Sequence, residues 1–124
     1  LGVIPGHGGT QRLTRLLGKS AAIKLICSGA HVNATDAVSL GLVNAVYPAD
    51  SLMEAVYGFA IKLASKPRIA MRYALEAVNQ GLNVTLKEGQ AIEADLFGLC
   101  FATEDQTEGM NAFLEKRKAN WKGR

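Results

Sequence analysis

Helical periodicity, broken at intervals by glycine and proline, is the feature that most restricts what this chain can fold into. Between about residues 51 and 65, apolar residues recur with i, i+3, i+4 spacing, which predicts a helix with one buried face. Similar patterns predict further helices at about 11–17, 20–28, 34–40, 68–80, 85–101 and 103–118. The sequence therefore predicts a mainly α chain of six or seven helices, with one or two short strands.

The predicted helix ends carry signals of their own. Candidate N-caps, whose side-chain oxygens accept from free backbone amides, are Thr10, Asn33, Thr85 and Thr103. Glu88 completes a capping box with Thr85. Residues 42–47 are the best strand candidate, because they are rich in apolar and β-branched residues and end at Pro48.

Composition indicates an ordinary globular protein rather than a membrane or secreted one. Of the 124 residues, 48% are hydrophobic and 20% charged, typical of one soluble domain. No apolar run reaches the roughly 18 residues that a membrane span needs. Cys27 and Cys100 are isolated in helical segments, so we expect small buried thiols in a reducing compartment. Neither has metal-ligand spacing, and we predict no metal site.

The net charge of +3 is concentrated at the C-terminal end. Five cations gather there, opposed in the sequence only by Glu115: Lys116, Arg117, Lys118, Lys122 and Arg124. One interpretation is a solvated helix end, where cations complement the helix dipole. The other is a patch that recognises phosphate. The charge is too mild to indicate a nucleic-acid partner.

A glycine-rich turn precedes the first predicted helix. Gly6, Gly8 and Gly9 follow a short apolar run, and glycine allows positive φ and a close approach to the main chain. Free amides at a helix start suit an anion, a polarised carbonyl or a bound water. An ordinary tight turn is the alternative. The spacing fits neither a P-loop nor a dinucleotide-binding fingerprint.

Three motifs, in order, resemble the enoyl-CoA hydratase (crotonase) family. Residues 1–13 read Leu-Gly-Val-Ile-Pro-Gly-His-Gly-Gly-Thr-Gln-Arg-Leu, close to the signature of that family. Residues 28–43 resemble the family's segment after the helix that follows its glycine turn, and residues 103–117 resemble its C-terminal signature. The likeness runs through the whole chain. Its one departure in the first motif is His7, where the family usually has a small residue.

The resemblance implies the C-terminal half of an α/β crotonase fold, in which an N-terminal half supplies the spiral of strands. On this basis, residues 1–50 end the crotonase core and residues 51–124 form a helical region for oligomerisation and CoA contact. Both catalytic glutamates of the family precede the equivalent of Leu1, and no acid of this chain matches either. We therefore expect the 124-residue chain alone to have little hydratase activity.

The resemblance also implies a role for six residues. The Gly6 amide helps to hold the water that is added across the double bond, and is the one catalytic group of this chain. Lys116 reaches the 3′-phosphate of CoA, and Phe97 lies near the adenine. Residues near the acyl group are Leu1, Ile4 and Pro5. His7 is interpreted as a substitution in an exposed turn, and His31 as structural.

The implied activity is that of a lyase of fatty-acid metabolism, which hydrates trans-2-enoyl-CoA to 3-hydroxyacyl-CoA. The alternatives are another acyl-CoA reaction of the family, such as isomerisation, dehalogenation or decarboxylation, or a non-catalytic oligomerisation or CoA-binding module. No cofactor is expected, since CoA is part of the substrate. A trimer or dimer of trimers is implied, in the cytoplasm or the mitochondrial matrix, with no membrane or nucleic-acid partner.

Overall fold

A computed structural model describes residues 2–124 of the chain, and these residues form seven helices. They are α1 (Gly9–Leu17), α2 (Lys19–Ser28), α3 (Ala34–Ser39), α4 (Leu52–Ala64), α5 (Arg68–Gly81), α6 (Leu86–Cys100) and α7 (Glu104–Leu114). The predicted mainly helical fold is confirmed. None of these seven helices is both long and apolar enough to cross a bilayer.

The chain divides into two packing units, with the boundary between Ala55 and Val56, inside α4. In the first unit α1 packs against α2, and in the second α5 packs against α6. The functional division at residue 50 stays a prediction, because packing by itself assigns no role to either unit.

The strand prediction for residues 42–47 is wrong for this structure. From residue 2 to residue 124 no backbone is in a strand. The Leu42 and Val43 amides instead donate to the Ala37 carbonyl, at 2.8 and 3.3 Å, and close the end of α3. A strand needs a neighbouring backbone for its hydrogen-bond ladder, and β-rich composition alone does not supply one.

Three of the four predicted caps are confirmed. Asn33, Thr85 and Thr103 each accept from the backbone amide three residues on, and Glu88 closes the predicted capping box. The Thr10 prediction is wrong. The helix α1 already begins at Gly9, because Gly8 adopts a left-handed conformation at the N-cap position without a side-chain cap.

Little of the chain is buried against itself. The buried apolar residues are the three alanines Ala22, Ala37 and Ala112, and no large side chain among residues 2–124 is fully enclosed. Cys27, predicted to be buried, is exposed, because α2 packs closely only through small residues such as Ala22. Many large apolar side chains of the second unit face outward, among them Phe59, Ile61, Leu75, Val78, Phe97 and Phe101.

Candidate active site

The glycine-rich turn spans Gly6–Gly9 and is closed by one hydrogen bond. The Gly9 amide donates to the Gly6 carbonyl at 2.9 Å. Both residues between them have positive φ, 53° at His7 and 72° at Gly8. Positive φ is several-fold more frequent for histidine than for most residues, so the His7 substitution is compatible with this backbone.

Three consecutive amides of this turn are available to a ligand. Within residues 2–124 the amides of Gly6, His7 and Gly8 have no hydrogen-bond acceptor. They immediately precede α1, whose N-terminal end carries a partial positive charge. Unpaired amides beside a helix start form a site for a negative or strongly polarised oxygen. The predicted free amides at this turn are therefore present.

Neither the conformation nor the packing of the turn requires a glycine at position 6. The φ of Gly6 lies outside the positive range, and a Cβ at this position would meet no atom of the described residues within 4 Å. Gly8 differs, because its φ of 72° favours glycine and a Cβ there would lie 3.3 Å from Arg12 Nε. The geometry of the turn therefore favours glycine at position 8, while it sets no such preference at position 6.

The residues predicted near the acyl group are solvent-exposed in the described part of the chain. Ile4 is 79% exposed, and Pro5 is exposed beside Gly9, where a Cβ would lie 3.0 Å from the Pro5 Cβ. Leu1, the third of this group, lies outside the described residues. The His7 carbonyl accepts from the Arg12 guanidinium. The His7 imidazole has no hydrogen-bond partner in residues 2–124.

The predicted CoA contacts lie in the second unit. Lys116 follows α7 in a Schellman arrangement. The Arg117 amide donates to the Ala112 carbonyl at 3.0 Å, and the Lys116 amide donates to the Phe113 carbonyl at 3.3 Å. Lys116 therefore occupies the left-handed position, with φ 55°, that glycine usually fills. Phe113, which the sequence did not mark as a candidate, is 80% exposed one turn before Lys116.

Most of the C-terminal cations are paired, so the prediction that only Glu115 opposes them is wrong. Arg117 pairs with Glu108 as well as Glu115. Lys122 and Arg124 both pair with Glu104, at 3.1 and 3.0 Å. The chain folds back over α7, which brings together charges far apart in sequence. Across residues 2–124, the cations of the group left without an ion-pair partner are Lys116 and Lys118.

The returning segment, residues 119–124, is attached to α7 through a buried carboxylate. Asp105 is 3% exposed and accepts from the Lys122 and Gly123 amides at 2.6 and 2.9 Å. Trp121 lies over Gly109, where a Cβ would come within 3.1 Å of the ring. The sequence alone did not indicate this role of Asp105, because nothing local points to a partner 17 residues away.

Glu108 makes this attachment sensitive to acid. Its pKa is lowered from 4.5 to about 2, chiefly by hydrogen bonds from the Arg117 side chain and then by the Asn120 amide. A carboxyl whose pKa is lower in the folded state stabilises the fold above its unfolded pKa, and that stability is lost as the pH falls. We expect the unfolding free energy to fall between pH 4.5 and 2, and to fall less in Glu108→Gln.

Urea denaturation across this pH range measures the difference between the wild type and Glu108→Gln. Comparison with the wild type is necessary because the pKa of Glu104 is also lowered, chiefly by a hydrogen bond from Lys122. Glu93→Gln is the control, since Glu93 is exposed and makes no ion pair in the described residues. A parallel pH profile for Glu108→Gln and the wild type would contradict the prediction.

Phe97 lines a groove between α5 and α6. The groove has a volume of about 310 Å³ and is bordered also by Tyr73, Ala74 and Leu96. Phe97 is 66% exposed and meets Phe101 edge-to-face, with ring centroids 5.2 Å apart. No cation–π contact joins Lys116 to Phe97 in residues 2–124. A joint role of Lys116 and Phe97 in one site stays a prediction, because these contacts do not test it.

The matches with known proteins agree with the motifs and the helical fold. The enoyl-CoA hydratase/isomerase family model matches residues 1–124. The chain belongs to the enoyl-CoA hydratase/isomerase family. Within this family, it is 48% identical over 121 residues to a crotonyl-CoA hydratase of Syntrophomonas wolfei, covering 98% of this chain and 46% of that protein.

Two further members of the family extend the comparison. A mitochondrial enoyl-CoA hydratase of Pongo abelii is 48% identical over 122 residues, covering 98% of this chain and 42% of that protein. The crystal structure of an enoyl-CoA hydratase subunit from Geobacillus kaustophilus superposes with a TM-score of 0.95 at 46% identity, covering 99% of this chain and 48% of the other. The chain thus spans less than half the length of these relatives, and aligns to their C-terminal portion.

Proposed function

We propose that this chain is the C-terminal part of an enoyl-CoA hydratase, which adds water to a trans-2-enoyl-CoA and gives 3-hydroxyacyl-CoA. The observation that carries the proposal is the run of unpaired amides at Gly6, His7 and Gly8 before α1. The hydratase names of the relatives support it, at 48% identity over nearly the whole chain. Fatty-acid metabolism is the corresponding role.

In this proposal Gly6 holds the attacking water. A backbone amide positions an oxygen without titrating, and it needs no reorganisation during the reaction. The open space at Gly6 supports this role. Neither the backbone conformation nor the packing of the described residues requires glycine at this position, and a ligand or water packed against it would explain why glycine is there. Two glutamates from elsewhere in the protein would move the protons. Amides would polarise the thioester carbonyl.

At the other end of the substrate, Lys116 would bind the 3′-phosphate of CoA. An ammonium without an ion-pair partner in the described residues suits a phosphate. Its left-handed backbone supports a functional reason for lysine, since glycine would fit that position without strain. Phe97 would lie near the adenine, and the exposed ring of Phe113 offers a second flat surface.

The outward-facing apolar side chains of α4, α5 and α6 support a homo-oligomer, a trimer or dimer of trimers. Helices of this kind are stable where a second surface covers them. We place the protein in the cytoplasm or, as for the Pongo abelii relative, in the mitochondrion. The reaction uses no cofactor besides the CoA carried by the substrate.

Assay of the intact protein with crotonyl-CoA tests the proposed reaction. Loss of the conjugated enoyl-thioester absorbance, with 3-hydroxybutyryl-CoA as the product, is the expected result. An isomerised, decarboxylated or unchanged substrate would contradict hydration and favour the other reactions of the family or a non-catalytic module. The 124-residue chain alone is expected to give no more than trace turnover, and robust turnover would contradict its dependence on glutamates outside it.

The phosphate contact has its own test, in which Lys116 is replaced by glycine. Lys116→Gly removes the ammonium and also relieves the left-handed strain, so lost binding is not explained by a damaged turn. Calorimetry should show the preference for CoA over dephospho-CoA falling by about tenfold or more. Lys118→Gly removes an equal charge two residues away and is the control. An unchanged preference in Lys116→Gly would contradict the contact.

A further inference from the structure

Arg117 connects both sides of Lys116 to α7. Its Nη1 and Nη2 donate to Glu108 Oε1 and Oε2 at 2.6 and 3.0 Å, a bidentate pair. Its Nε donates to Glu115 Oε2 at 2.5 Å, and its Nη1 also donates to the Lys118 carbonyl at 3.3 Å. The residues before and after Lys116 are therefore tied to one guanidinium, while the Lys116 side chain makes no ion pair within residues 2–124.

The same contacts occupy the carboxylates of Glu108 and Glu115. Glu115 is the neighbour of Lys116 in sequence, and an unpaired carboxylate there would compete with any phosphate for the ammonium. A guanidinium forms bidentate pairs that an ammonium cannot reproduce, so Arg117 is the better partner for Glu108. The pKa of Glu108, lowered to about 2, is consistent with a carboxylate that is charged at neutral pH and held by Arg117.

Glu108 also fixes the chain that follows. Its Oε1 accepts from the Asn120 amide at 2.7 Å, which anchors the start of the returning segment. The left-handed conformation at Lys116 costs energy for a residue with a side chain. Contacts on both sides of it are the means by which such a conformation persists. The turn is thus determined by Arg117 and Glu108 as well as by the helix-end hydrogen bonds.

We propose that Glu108 and Arg117 are positioning residues for Lys116, which hold its left-handed turn and occupy the neighbouring carboxylates so that its ammonium meets a phosphate group of the ligand. This inference rests on the proposed function, in which that phosphate is the 3′-phosphate of CoA. Neither Glu108 nor Arg117 contacts the ligand. Both act through the position and the charge environment of Lys116.

The test is the ratio of the dissociation constants for dephospho-CoA and CoA, measured by calorimetry on the intact protein. Glu108→Gln removes a negative charge, so Coulomb attraction alone would strengthen CoA binding and raise the ratio. Positioning predicts the opposite sign, a ratio lowered by about tenfold. Arg117→Lys keeps the charge but not the bidentate geometry, and is expected to lower the ratio similarly.

Matched controls separate positioning from folding and from net charge. Glu54→Gln changes the charge as Glu108→Gln does, at an exposed carboxylate outside the Phe97 groove and without an ion pair in the described residues, and Arg15→Lys makes the same exchange as Arg117→Lys in the first unit. Both controls are expected to leave the ratio unchanged. A purely structural role for Glu108 would weaken both ligands equally and leave the ratio intact, which would overturn the proposal.

The outcomes also distinguish this inference from the proposed function. If Lys116→Gly lowers the ratio while Glu108→Gln and Arg117→Lys do not, Lys116 binds the phosphate without these positioning residues, and only the present inference is overturned. If Lys116→Gly leaves the ratio unchanged, the proposed phosphate contact fails, and the positioning role fails with it. A lowered ratio in all three variants supports both.

Discussion

Gly6→Ala is expected to reduce hydration by the intact protein on the order of 100-fold, with little change in stability. The added methyl meets no atom of residues 2–124 within 4 Å, and the φ of Gly6 lies outside the positive range. Alanine therefore fits the backbone, but its Cβ would occupy the space in which the proposed water lies. Steady-state kinetics with crotonyl-CoA, together with a denaturation curve, measures both effects.

Gly8→Ala is the matched control for Gly6→Ala. Its φ of 72° is strained for alanine, and the new Cβ would lie 3.3 Å from Arg12 Nε. This substitution should lower stability by roughly 1–2 kcal/mol, whereas Gly6→Ala should not. Full activity in Gly6→Ala would contradict a water or substrate packed against Gly6, and equal destabilisation of both variants would contradict the difference between the two positions.

Asp105→Ala is expected to detach the C-terminal segment and lower the free energy of unfolding by about 1–3 kcal/mol. The carboxylate is 3% exposed and accepts from the amides of Lys122 and Gly123. Alanine leaves both amides without this acceptor, while the rest of α7 retains its backbone hydrogen bonds. Trp121 is the single tryptophan of the chain, so its fluorescence reports directly on the segment that Asp105 holds.

Asp105→Asn and Asp95→Ala complete this test. Asparagine keeps one acceptor oxygen, but its amide nitrogen faces the second donor. Asp105→Asn should therefore lower the free energy of unfolding by roughly half as much as Asp105→Ala. Asp95 is exposed on α6 and has no side-chain hydrogen bond within the described residues, so its truncation should change stability by less than about 0.5 kcal/mol. A red-shifted Trp121 emission is expected only for the Asp105 variants, and identical spectra would argue against the attachment.

The sequence predicted the helices well because their determinants are local. Apolar spacing marked α4, and side-chain caps marked α3, α6 and α7 through contacts that reach only three residues. The first helix was predicted to begin two residues too late. Thr10 offered a side-chain cap, but Gly8 adopts the left-handed conformation that starts α1 earlier. The specific roles of Gly6, Phe97 and Lys116 came from the family resemblance, although the glycine-rich turn and the group of C-terminal cations had already marked Gly6 and Lys116 as candidates.

Contacts between residues distant in sequence decided what periodicity and caps could not. Asp105 accepts from amides 17 and 18 residues on, and Glu108 pairs with Arg117 nine residues on. These contacts convert a row of five cations into a largely paired surface that leaves Lys116 and Lys118 free among the described residues. Sequence alone determined where helices begin and which family the motifs resemble, because both depend on neighbouring residues. Which charges meet was decided by the return of the chain over α7, which no local pattern specifies.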